Sequence, residues 1–402
     1  MHIVFVDRAT WRSKLYPLAL TRPVSELRVG ILTITEKWTK QLQCSHSFLT
    51  EDYLSEKYPS PFGGENEASP DEFLLIRANC CPDDVLLEAV DCLVEGQCLQ
   101  DSQGLLICRT NREGMKHFLA NDAGFFDFIP YGQSITCINY PEDIFLNNGA
   151  QITRDFQFLT QGRKSAPLSG TNQVLGDQVF LEEGAMVECA TLNSLKGPIY
   201  LGKNSEIWES CSVRGPFALC EGSQLKMGSK VYSNVTVGPH SRVGGEMNTC
   251  VIQGYSSKGH DGYLGSAVMG EWCNWGADTN NSNLKNNYKP VRVYDYHTQQ
   301  YRDTGQQFYG LIMGDHSKCA INTAFNTGTV VGVGASIFGA GFPPTFVPDF
   351  SWGGAEGFVE HNLEQMLETA ELVFARRNRS LDEAERNILK HVFNMTQSLR
   401  KK

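Results

Sequence analysis

From Leu201 to Val243 an aliphatic side chain returns at every sixth residue: Leu201, Ile207, Val213, Leu219, Leu225, Val231, Val237 and Val243. Small or β-branched residues (Ser205, Cys211, Ser223, Ser229, Val235, Ser241) recur at a constant offset between them. A period of six fits neither a helix nor an ordinary strand. It fits a solenoid, in which each triangular coil takes three hexads, each sending one aliphatic side chain into the shaft and turning at a corner. The register returns at Met269–Asn274 and Trp275–Asn280, then at Met313, Cys319, Phe325, Val331 and Ile337. The pattern predicts a solenoid from about Leu175 to Ile337, interrupted at Thr249–Tyr263 and at the polar segment Asn281–Tyr309. Insertions leave a solenoid at one face, often the binding face.

The flanks read differently. Residues 1–140 alternate strand-like runs (His2–Val6, Phe73–Arg77, Leu105–Cys108) with helical spacing (Asp83–Leu93, Thr110–Leu119), which predicts an α/β domain on a parallel sheet. Pro59–Pro70, rich in Gly, Pro and acidic residues, reads as a surface loop. A connector, 141–169, carries one amphipathic helix (Ile144, Phe145, Ile152, Phe156, Leu159) that stops at Gly162–Pro167. The solenoid domain spans 170–354. Two helices fill 355–402, the second opened by a capping box at Ser380–Glu383. They are expected to flank the open end of the solenoid and hide its last backbone edge.

Composition narrows the function classes. The formal net charge is −10 and no basic block occurs before the last few residues, which argues against nucleic acid as a partner. The 13 cysteines include no C-x-x-C pair, so neither a zinc ribbon nor a redox motif is indicated. A reducing cytoplasm is the expected compartment. The opening reads as a strand and not as a signal peptide. The apolar run Val330–Phe342 is too short and Gly-rich to span a bilayer.

The repeat aliphatic-Gly-x-x-small-x resembles the hexapeptide-repeat acyltransferases, which implies a left-handed parallel β-helix. The segment Leu15-Tyr16-Pro17-Leu18-Ala19-Leu20-Thr21-Arg22-Pro23 resembles the opening of the sugar-phosphate nucleotidyltransferases. Several positions depart from that family. No Gly lies between Asp7 and Lys14, Ser13-Lys14 stands where T/S-R belongs, and Val24 replaces the sugar-phosphate Lys. Ala78-Asn79 stands nearest the Gly-Asp that binds Mg²⁺. Arg22, Arg28 and Lys37 are the candidate substitutes for phosphate contact, with UTP or another nucleoside triphosphate as substrate and Mg²⁺ as the metal.

The sharpest constellation is His260-Asp261-Gly262-Tyr263-Leu264-Gly265, followed by Gly270-Glu271-Trp272-Cys273-Asn274-Trp275-Gly276-Ala277-Asp278-Thr279 and Asn283. It resembles the acetyltransferase half of the bifunctional enzymes that make UDP-N-acetylglucosamine, which also join a nucleotidyltransferase domain to a β-helix. The resemblance implies acetyl transfer from acetyl-CoA to an amino-sugar phosphate such as glucosamine-1-phosphate. His260 would be the general base, because the attacking amine must lose a proton and imidazole titrates near neutrality. Glu246 would orient it, Tyr263, Asn274 and Arg214 would hold the sugar phosphate, the Ala277 N–H would donate to the oxyanion, and Asn283 would contact acetyl-CoA. The family's sugar-binding Lys is Asn248 here. His240 and His316, in similar turns, are the runners-up for the base. The resemblance also implies a homotrimer with active sites between neighbouring helices. The reading from another class is a non-catalytic subunit that binds sugar nucleotide through a degenerate N-terminal domain.

Overall fold

The structure, a computed structural model, describes residues 1–61 and 71–400. Residues 62–70 of the segment read as a loop lie outside the described residues. The chain forms two compact units. The first comprises Met1–Ser13, Arg22–Leu27 and Leu32–Asn139, and the second Lys14–Thr21, Arg28–Ile31 and Tyr140–Lys402. The division at residue 140 therefore needs a correction: two short N-terminal segments belong to the solenoid unit.

The first unit is built on six strands: β1 (His2–Val6), β2 (Ser45–Leu49), β3 (Glu72–Arg77), β4 (Gln97–Asp101), β5 (Gly104–Asn111) and β6 (Asp127–Pro130), ordered β2-β1-β3-β5-β4-β6. Strands β2, β1 and β3 are parallel, as strand–helix alternation predicts. Strand β5 runs antiparallel to β3 and β4, because Ser102-Gln103 close a two-residue hairpin ahead of Gly104. Its helices are α1 (Ala9–Arg12), α2 (Ile34–Leu42), α3 (Asp84–Asp91) and α4 (Arg112–Leu119). The polar residues before the last two act as caps: Asp83 accepts from Leu86 N and Asn111 from Gly114 N. Cys98 and Cys108, opposite each other on β4 and β5, are joined by a disulfide, unlike the free thiols expected in a reducing compartment.

The second unit is a parallel β-solenoid of the left-handed β-helix type. All eight aliphatic residues of the hexad run point into the shaft and are buried in one core. One column reads Val187, Ile207, Leu225, Val243, each paired in register with the next. The first expected interruption is not an excursion. Met247, Ile252, Lys258 and Leu264 continue the columns of Val231, Val237, Val243 and Met247. The six-residue register slips only because corners shorten: Val243 is followed by Met247. The second interruption is an excursion, and it contains an antiparallel hairpin, Arg292–Asp295 with Gln300–Asp303. Its Tyr294 stacks on Phe346 of a later rung at 3.6 Å.

One face of the solenoid is covered by its own chain. The outward residues Ala218, Thr236, Val251, Val268 and Ile312, adjacent in register, are each 0% exposed. The connector helix α5 (Pro141–Thr160) packs on them with residues 28–31. Asn148 pins the cover: its Oδ1 accepts from Gly30 N (2.8 Å) and Thr236 Oγ1 (3.0 Å), and its Nδ2 donates to Asn234 O.

The corner after that face is an aromatic ladder. His240, Tyr255, Trp272 and His316 occupy successive corner positions with left-handed φ of 56°, 53°, 60° and 62°. The helix α6 (Leu363–Ala375) lays Phe374 on Trp272 at 3.8 Å. Thus α6 and α7 (Glu383–Met395) pack along a corner instead of only across the open end. The N-cap of α7 is Asp382, which accepts from Glu385 N, so the box expected from Ser380 does not form. Among the described residues no helix is long and apolar enough to cross a membrane.

Candidate functional site

The sequence from Ser241 to Asn283 winds past a second corner repeatedly, and there the site assembles. The corner below it, Leu225 to Val231, holds five residues between its inward side chains, as does the corner above, Lys258 to Leu264. Between them, Val243 to Met247 holds only Gly244-Gly245-Glu246. This shortened turn lies close against the backbone of the next turn, Gly259 to Gly262. Only glycine fits it: a Cβ on Gly245, at φ +76°, would lie 2.6 Å from Gly262 O.

Lys258 secures the short turn. It stands in the inward column directly above Val243, where every lower rung has an aliphatic residue, and is 2% exposed. Its Nζ donates to Gly244 O (2.8 Å) and His260 O (2.9 Å), tying the short corner to the His260 turn. Burial holds its pKa down at about 8. A lysine at an aliphatic hexad position is the signal in the sequence for this contact.

His260 is exposed at the tip of this turn. Ala277 lies on the next rung up, where Asp278 N donates to Asp261 O. On one side of the corner, Glu246 and Tyr263 are partners in register. The Tyr263 ring lies across Gly265, where a Cβ would meet its hydroxyl at 2.1 Å. That hydroxyl accepts from Asn283 Nδ2 at 3.0 Å and also hydrogen-bonds Asn248. Desolvation raises the Tyr263 pKa, so its phenol is neutral and able to donate at physiological pH. Asn283, assigned to acetyl-CoA by resemblance, is thus a direct partner of the sugar-side Tyr263. Asn274 is exposed around the corner on the adjoining face, between Ser257 and Lys318 in register.

Arg214 lies lower on the Tyr263 face. A groove of about 650 Å³ there is lined by Asn193, Lys196, Arg214, Tyr232 and Asn248. Arg214, Tyr232 and Asn248 follow the inward residues Val213, Val231 and Met247, which pair in series, so they form one outward column. Lys230, the register partner of Glu246, is an exposed cation beside the site that spacing arguments missed.

The other candidates lie elsewhere. His316 is 3% exposed and stacks with Phe374, and His240 stacks on Tyr255, so both belong to the aromatic corner. Arg28 is buried in the solenoid unit: its backbone is clasped by the Gln253 amide, and its Nη1 donates to Ile31 O. Arg22 is buried in the first unit. The segment Lys14–Thr21 also packs in the solenoid unit, where Thr21 Oγ1 donates to Asp315.

At the end of β1, Asp7 Oδ2 accepts from Arg12 Nη1 (2.5 Å), Thr50 Oγ1 (2.8 Å) and Val24 N (3.2 Å). Asn79 follows β3 where a second carboxylate would serve. No group of three or more His, Cys, Asp or Glu suited to a metal occurs among the described residues. A carboxylate already neutralised by Arg12, without a second one nearby, does not fit Mg²⁺.

The chain thus comprises a mixed α/β unit and a β-solenoid unit. Residues 3–164 match the family model for sugar nucleotidyl transferases. Two curated relatives carry the name bifunctional protein GlmU. That of Methanocaldococcus jannaschii is 34% identical over 95 residues, covering 23% of this chain and 22% of the relative. That of Methanococcus aeolicus is 25% identical over 143 residues, covering 36% and 29%. The matches thus span less than a third of the length of either relative.

Proposed function

We propose that the chain is a GlmU-like transferase whose solenoid moves an acetyl group from acetyl-CoA to the amine of an amino-sugar phosphate. One observation carries this reading: His260 is exposed on a turn whose neighbouring rungs carry Glu246, Tyr263 and Asn283. His260 takes the proton of the attacking ammonium, and Glu246 orients the pair. Tyr263, held by Asn248 and Asn283, positions the sugar, while Lys230 and Arg214 attract its phosphate. The Ala277 N–H, one rung above His260, faces the oxyanion that forms as the amine adds to the thioester. The rungs are rigid, so these groups are held ready before substrate arrives.

The test is turnover of acetyl-CoA with a panel of amino-sugar phosphates, comparing wild type with His260→Ala. Loss of a general base lowers rate by about 10²–10⁴-fold. We expect kcat to fall on that scale with acetyl-CoA binding retained. Full turnover by His260→Ala would remove His260 from the mechanism. Wild-type protein that neither binds nor turns over acetyl-CoA would leave the non-catalytic reading. That reading draws support from the first unit, where Arg12 occupies Asp7. Nucleotidyl transfer by that unit is accordingly expected to be weak. Robust pyrophosphate release from UTP with an N-acetylated sugar-1-phosphate would contradict this expectation.

A further inference from the structure

In the first unit, the residues after β3 run antiparallel to the segment at 136–138, and Cys80 stands opposite Cys137. Cys81 N donates to Thr136 O at 2.9 Å, and Ile138 N donates to Asn79 O at 2.8 Å. These bonds flank the cysteines. The two therefore form the non-hydrogen-bonded kind of antiparallel pair, in which Cα atoms stand ~4.5 Å apart and side chains come closest. A disulfide spans that separation. Both residues are thiols in this structure, and they share a hydrogen bond. The other facing cysteine pair of this sheet, Cys98 with Cys108, is already joined.

A cation is aimed at the open pair. The Arg77 side chain, at the end of β3, is 0% exposed, and its Nη2 donates to Cys137 Sγ at 3.2 Å. Asp101 on β4 fixes the guanidinium, accepting from Nη1 at 2.8 Å and from Nη2 at 2.7 Å. The hydrogen bond from Cys80 and the charge of Arg77 hold the Cys137 thiol below its ordinary value, against burial and the Asp101 carboxylate. The same hydrogen bond, with burial, pushes the Cys80 thiol well up; Cys81 adds to this and Arg77 opposes it. One sulfur is thus readied as a nucleophile, and a protonated thiol is kept beside it. Cys137 is half-buried whereas Cys80 is 0% exposed, so a reagent from solvent meets Cys137 first.

We propose that Cys137 and Cys80 form a redox modification site, at which a hydroperoxide oxidises Cys137 and Cys80 resolves the product into a disulfide. The Cys137 thiolate sulfur attacks one peroxide oxygen. The O–O bond breaks, and the departing oxygen takes a proton from solvent and leaves as an alcohol or water. Cys137 is then a sulfenic acid. The Cys80 sulfur attacks it; the S–S bond forms, the S–O bond breaks, and the departing hydroxide leaves as water with the Cys80 proton. Two thiols give up two electrons, and one hydroperoxide accepts them. The disulfide locks the 136–138 segment to the end of β3, where Asn79 Nδ2 already donates to Asn139 Oδ1 at 3.0 Å. A small thiol reverses it by exchange. This site is independent of the acetyl-transfer reading.

The experiment treats the full, reduced chain with hydrogen peroxide, blocks the remaining thiols with N-ethylmaleimide and maps the peptides by mass. The expected product is a Cys80–Cys137 disulfide that dithiothreitol removes. In Cys80→Ser the disulfide is lost and dimedone captures Cys137 as its sulfenic acid. In Cys137→Ser neither product forms. Arg77→Gln should slow oxidation of Cys137 about threefold to tenfold, because the thiolate fraction falls with the cation gone. The exposed thiols Cys92 and Cys189 are internal references, and Cys137 should oxidise faster than either although it is less accessible. Wild-type Cys137 that stays reduced, or oxidises no faster than Cys92 and Cys189, overturns the site, and this arm needs no variant to fold. Dimedone labelling of wild-type Cys137 without linkage to Cys80 overturns the pair.

Discussion

At the scale of single residues, Lys258 is the most informative departure from pattern. A hexad column that is otherwise apolar through Val243 admits a lysine because two backbone carbonyls meet its ammonium. Burial still disfavours the charge and lowers its pKa to about 8. The unfolded chain has the ordinary lysine value, about 10.4. Between these values the unfolded state binds more protons, so stability rises with pH across that window. Below about pH 8 the full penalty of burying the charge is present. Lys258→Met removes the titration. Melting temperature followed from pH 7.5 to 10 should climb less in Lys258→Met than in wild type. Parallel curves would mean that the ammonium is not desolvated as described. The variant also releases Gly244 O and His260 O, which hold the His260 turn, so its kcat should fall.

At the scale of elements, the corners carry the argument. The left-handed φ that each turn demands is costly for side chains with a Cβ. At the aromatic corner His240, Tyr255, Trp272 and His316 accept that cost and recover it by stacking. Helix α6 completes the stack: Phe374, 6% exposed, lies against both Trp272 and His316. Phe374→Ala should lower unfolding free energy by about 3–5 kcal/mol, the range for a buried aromatic truncated to a methyl. Urea denaturation checks this; a change below about 1 kcal/mol would mean that the helix is only loosely attached. The functional corner solves the same problem differently. Gly244 and Gly245 shorten the turn and let it pack closely under the His260 turn.

For the molecule as a whole, the covered face limits assembly. Ala218 through Ile312 are shielded by α5 and residues 28–31, so a second copy must use the other two faces or their corners. Those faces carry His260 and the Arg214 groove. A homotrimer with sites between neighbouring solenoids is therefore still the expected assembly, and closed cyclic symmetry satisfies it. Light scattering at micromolar concentration should give three times the chain mass of 44.7 kDa. A stable monomer at full activity would show that one copy completes the site.

The solenoid was legible in the sequence because its determinant is local: one apolar side chain per hexad must enter the shaft, and Leu201 to Val243 do so without a break. The helices α3, α4 and α5 were legible from periodicity, with α3 and α4 also announced by their polar caps. Glu246, Tyr263 and Asn283 were named through resemblance to the acetyltransferase family, and they are neighbours because they fall on consecutive rungs. Long-range packing decided the rest. No local pattern assigns Lys14–Thr21 and Arg28–Ile31 to the solenoid unit, because the surface they bury against is formed by residues more than a hundred positions away. The role of Lys258 and the truncated corner depend on which residues share a rung, and that is set only when the coil closes.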